Sequence, residues 1–100
     1  MPKLKKASRG KHRWIGSRIS GVFSRRQLKH FLNEHIDGVD WKLFDLKNSD
    51  EKSFFILKVP LSDYAGAIER LNSTGAISTL SSSGKIRLLR ERLSTFMATE

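Results

Sequence analysis

Between Arg13 and Ser81 the spacing of apolar residues switches back and forth between two and about 3.6, and that alternation leaves few architectures open. Arg13 to Ser20 sets Ile15, Ser17 and Ile19 on one side of a strand and Trp14, Gly16 and Arg18 on the other. Ser24 and Gln27 then stand at capping-box spacing while Phe23 and Leu28 can staple the chain entry, so a helix starts here. Its buried stripe is expected to be Leu28, Phe31, Leu32, His35 and Ile36, with Gly38 as its stop. Trp41 to Lys47 and Ser53 to Val59 read as antiparallel strands joined by a five-residue polar turn, Asn48 to Lys52. After Pro60, Ser62 is suited to cap a second helix bearing Tyr64, Ala67, Ile68 and Leu71, which ends near Gly75. Ala76 to Ser81 reads as a fourth strand. Beyond Ser83-Gly84, the helical spacing of Ile86, Leu89, Leu93 and Met97 marks a third helix.

The order is βαββαβ followed by a helix. Right-handed crossovers place the first two helices on one face of a four-stranded antiparallel sheet, which is a ferredoxin-like α+β sandwich. A chain of 100 residues with 38% hydrophobic content suits one such domain. Residues 13–100 are assigned to it. Residues 1–12 have almost nothing apolar after Leu4 and read as a flexible basic arm.

Net charge is +9, and its placement matters more than its size. Residues 1–13 hold six basic side chains and no acid, whereas residues 14–84 hold nine basic against eight acidic ones. Residues 85–92 add four more cations against Glu91 alone. Two basic ends therefore flank a near-neutral body, and they attract a polyanion, whether RNA, DNA or an anionic membrane; for RNA the candidate contacts are Lys3, Lys5, Lys6, Arg9, Lys11, Arg13, Lys85, Arg87 and Arg90. The longest apolar run, Phe54 to Leu57, is far below the roughly 20 residues of a membrane span. No apolar stretch follows the basic start, so a secretory signal is not expected, and the expected location is cytoplasmic. The absence of Cys excludes disulfides and thiolate metal sites.

Catalytic patterns are sparse. His12, His30 and His35 fall in the arm and on a helix at spacings that do not share a face, and no metal site is expected. Asp37 and Asp40, like Asp50 and Glu51, sit in turn segments where acids are common. Ser82-Ser83-Gly84-Lys85 echoes the end of a phosphate loop but lacks its earlier glycine, Thr79 standing there, and has Ile86 after the lysine. The segment from Ile19 to Arg25 is faintly similar to the strand-to-helix loop of acylphosphatases, with Ser20 and Ser24 in place of that family's Gln and aromatic. No catalytic residue and no cofactor is assigned.

An open ferredoxin-like sheet can present aromatics to bases, and Trp14 and Phe54 are the candidates. Lys52 to Val59 keeps only the basic first position and Phe54 of the aromatic signature of RNA-recognition sheets. The competing expectation is burial of both rings beneath the third helix, whose apolar stripe needs a surface to cover. That expectation is favoured.

Two segments resemble the small ferredoxin-like protein subunit of archaeal and eukaryotic ribonuclease P. Arg13-Trp14-Ile15 is similar to that family's opening R-Y-[IL] strand, and the run from Thr79 to Arg87 is similar to its closing T-L-G-V-S-G-T-I-[KR] segment. This chain has Trp14 for the Tyr, Ser81 for the Gly, Ser82 for the Val and Lys85 for the Thr. The resemblance implies a protein without catalytic residues that supports an RNA catalyst maturing the 5′ ends of precursor tRNA, alongside other protein subunits. The helix start at Ser83-Gly84-Lys85 then serves either as a phosphate contact or simply to turn the chain. A small ribosomal protein on ribosomal RNA, and an adaptor that binds a partner protein through its sheet face, are the alternatives. A membrane partner is not expected.

Overall fold

The computed structural model describes residues 12–99, with side chains as far as Met97. The strands are β1 (His12–Ser20), β2 (Lys42–Ser49), β3 (Lys52–Pro60) and β4 (Ile77–Ser83). The helices are α1 (Arg25–His35), α2 (Tyr64–Ser73) and α3 (Ile86–Thr99). All strand pairs are antiparallel in the order β2-β3-β1-β4, which with this chain order is the ferredoxin-like arrangement. No helix among the described residues is long and apolar enough to cross a membrane.

The capping box of α1 forms as its spacing predicts: Gln27 N–H donates to Ser24 Oγ at 3.2 Å and Ser24 N–H to Gln27 Oε1 at 2.9 Å. The buried stripe is narrower than expected. Leu28, Leu32 and Ile36 are fully buried, whereas His35 is exposed and stacks on Phe31 with ring centroids 4.1 Å apart. At the other helix Ser62 is not a cap. Leu61–Asp63 instead forms a 3-10 turn, and α2 begins one residue later without a side-chain cap.

The β2–β3 connection is tighter than the sequence suggests. Ser49 pairs with Lys52 across a two-residue turn in which Asp50 (φ 49°) and Glu51 (φ 62°) both take left-handed backbone. That conformation matches the twist of a hairpin, so both strands extend into the polar segment. The Glu51 carbonyl accepts a bond from Gly21 N–H at 2.8 Å, and Gly21 itself takes φ 104°. Ser53, fully buried, fastens the same corner: its hydroxyl donates to the Gly21 carbonyl at 2.8 Å and accepts from Phe23 N–H at 3.0 Å.

Each edge strand carries a β-bulge. Opposite β3, Leu43 pairs with Leu57 and Asp45 with Ile56, which leaves Phe44 as the extra residue. Opposite β1, Ser81 pairs with Gly16 and Thr79 with Ser17, which leaves Leu80 extra. Such bulges add local twist and re-aim side chains, which discourages edge-to-edge pairing with another sheet.

The interior is split by the sheet. Ile15, Ile19, Leu43, Phe55, Leu57, Val59 and Ile77 pack against Leu28, Leu32, Ile36, Ala67 and Leu71 of α1 and α2. On the opposite face α3 brings Leu89 and Leu93 down on Trp14 and Ile56, with Leu80, Ile86 and Phe96 around them. Gly16 makes this approach possible, since a Cβ there would lie 3.0 Å from Leu93 Cδ2 and 3.1 Å from Leu89 Cδ1. The sheet face that could have been open is covered.

Candidate nucleic-acid interface

Helix α3 is held at both flanks by arginines. Arg90 grips Asp45 of β2, Nε to Oδ2 at 2.7 Å and Nη2 to Oδ1 at 3.1 Å. Arg92 donates to Ser81 Oγ and the Ser82 carbonyl of β4, both at 3.1 Å. The hydrogen bond and charge of Asp45 raise the Arg90 pKa, which favours the charged guanidinium. Two of the four cations between 85 and 92 therefore seat the helix.

The other two face solvent. Lys85 and Arg87 line a shallow groove of about 850 Å³ together with Lys47 from β2, Arg90, Leu88, Ser94 and Glu91. Among the described residues, Lys47, Lys85 and Arg87 make no side-chain ion pair or hydrogen bond, so the groove presents three unengaged cations against one acid. Beside it lies a cleft of about 460 Å³ between β2 and α3. Phe44, Leu46, Phe54, Ile56, Leu93 and Met97 give it an apolar lining, and Arg25 and Lys47 add charge at its edge. Lys47, Arg90 and Ser94 belong to both, which makes one continuous trench.

Not all the sequence-derived contacts converge there. Lys3, Lys5, Lys6, Arg9 and Lys11 lie outside the described residues. Arg13 is on the α1–α2 side of the sheet, its guanidinium 5.7 Å from the centre of the Tyr64 ring, away from Lys85 and Arg87. Trp14 and Phe54 are 9% and 2% exposed, so neither offers a ring face to a base while α3 is seated. At the start of α3, Ser83 Oγ accepts from Lys85 N–H at 3.1 Å, and the serine thereby supports the turn from strand to helix.

Linear charge counting missed Lys47 and Arg25, because both fall in the near-neutral stretch and only the fold brings them to the trench. Arg25 does not face the loop that precedes it; its guanidinium donates to the carbonyls of Leu43 and Phe44, the latter at 3.1 Å. Among the described residues there is no group of three or more His, Cys, Asp or Glu side chains able to hold a metal ion. No protein-family model, curated protein or solved structure matches the chain. The trench is thus a cationic rim laid over an apolar floor.

Proposed function

We propose that the protein is a non-catalytic RNA-binding protein that works inside a ribonucleoprotein, in the manner of the small ferredoxin-like subunit of ribonuclease P that Arg13-Trp14-Ile15 and Thr79 to Arg87 resemble. On this reading it is cytoplasmic, contacts structured RNA through phosphates, and meets other protein subunits of the particle. The observation that carries the reading is the groove in which Lys47, Lys85 and Arg87 stand without partners among the described residues. Cations so placed can neutralise phosphates that would otherwise repel as RNA helices pack, releasing counterions. The further cations of residues 1–11 would add to the same attraction.

The test is a salt series with a structured RNA such as precursor tRNA or ribonuclease P RNA. Affinity should fall steeply as salt rises, and a flat response would remove phosphate neutralisation as the basis of binding. Purification from native extract with sequencing of the bound RNA separates ribonuclease P RNA from ribosomal RNA, the alternative target of an equally basic small protein.

A further inference from the structure

Phe44 is the one aromatic among the exposed large hydrophobic side chains described, at 38% exposure. It is not loosely placed. The β2 bulge pushes it out of the alternation of its strand, and Arg25 pins the bulge by donating to the Leu43 and Phe44 carbonyls. The Trp14 ring, reaching across β3 from β1, packs against it edge to face, with centroids 4.7 Å apart and planes at 81°. Cations surround this pair. Lys58 Nζ sits 5.6 Å from the centre of the Trp14 ring, and Lys42 is directly opposite Lys58 in the β2–β3 register. Like charges facing each other across a strand pair repel, so this arrangement favours an anion above it. Lys47 continues the positive rim along the same strand.

We propose that Phe44 is a stacking platform for an unpaired RNA base, with Lys42, Lys58 and Lys47 taking the flanking phosphates. The proposal deepens the RNA-binding reading and rests on it. It moves the base contact from Trp14 and Phe54, which α3 covers, to a ring that the bulge holds at the edge of the sheet. An aromatic face set in a cationic groove accepts any base, because every base has a π-face, and so provides a preference for single-stranded over duplex RNA without reading sequence.

The experiment measures affinity of the full chain for three labelled probes at fixed salt: an oligouridylate octamer, an abasic ribose-phosphate backbone of equal length, and a blunt RNA duplex. The octamer should bind roughly 5- to 150-fold more tightly than the abasic backbone, the range that one stacked base supplies. Phe44→Ala should lose that advantage, read as the ratio of octamer to abasic affinity in the same protein, and Phe44→Tyr should keep it. Equal binding of octamer and abasic backbone by the unaltered protein overturns the proposal, even if Phe44→Ala fails to fold. So does a folded Phe44→Ala that retains full octamer affinity. In both cases salt-dependent duplex binding would leave the RNA reading standing, whereas absence of binding to all three probes would remove that reading together with the proposal.

Discussion

Arg90 and Asp45 are joined by two parallel contacts, 45 residues apart in sequence, that tie α3 to the bulged edge strand. The carboxylate satisfies the guanidinium in a fork geometry that a phosphate would otherwise take. Arg90 is thus a clamp that also carries charge, and Asp45 is an acid set within a surface proposed to meet RNA.

Asp45→Asn should therefore strengthen RNA binding. It removes one negative charge from the trench and releases Arg90 toward phosphate. In a salt series the slope of log affinity against log salt should steepen by about one, since one more phosphate contact is made. An unchanged or weaker affinity would show that the clamp, rather than the charge, is what RNA binding needs.

Replacing Lys85 and Arg87 together with Ala should weaken RNA binding and leave the melting temperature almost unchanged. Both side chains are exposed, and Ala is a good helix former. Adding Arg90→Ala should lower the melting temperature as well, because α3 then loses its hold on β2. Affinity and melting curves measured on the same samples distinguish the two roles.

Trp14 should be shielded from collisional quenchers in a Trp41→Phe background. Adding Gly16→Ala should raise the quenching, since the new Cβ meets Leu93 and Leu89 at about van der Waals overlap and pushes α3 outward. Overpacking of this kind costs about 1–3 kcal/mol. Unaltered quenching would mean that the two leucines yield without movement of the helix.

Two fully buried serines should respond in opposite directions to alanine. Ser17 Oγ has no hydrogen-bond partner among the described residues, so Ser17→Ala removes an unpaid desolvation and should stabilise by about 1 kcal/mol. Ser53→Ala strands the Phe23 N–H and the Gly21 carbonyl and should destabilise by about 1–3 kcal/mol. Urea unfolding of both variants gives the signs directly.

The periodicity of apolar residues was enough to order the strands and helices, because burial on one face is a local pattern repeated along each element. The tight Asp50-Glu51 turn was hidden by its own polarity: five polar residues look like a loop even when three of them belong to strands. His35 kept helical spacing with the core yet lies on the exposed flank of α1, where stacking on Phe31 suffices. The bulges were not legible at all, since an extra residue is defined only against a partner strand. With them went Phe44. Charge suffered similarly, because Lys47 and Arg90 share a groove across half the chain and Asp45 cancels a cation that linear counting had assigned to RNA.

The two faces of the sheet are unequally endowed: among the described residues the buried cluster shared with α1 and α2 is much larger than the one shared with α3, even with Phe54 added to the latter. Cooperative opening follows the smaller cluster first. Amide hydrogens in the middle of α3 should therefore exchange with solvent well before those of β1 and β3, which draw on both clusters. Each such excursion would uncover Trp14 and Ile56 as a sticky apolar strip while the remaining sandwich stays intact. Whatever occupies the trench and bridges β2 to α3 would then slow those excursions, so bound RNA should be visible as added protection of the α3 amides.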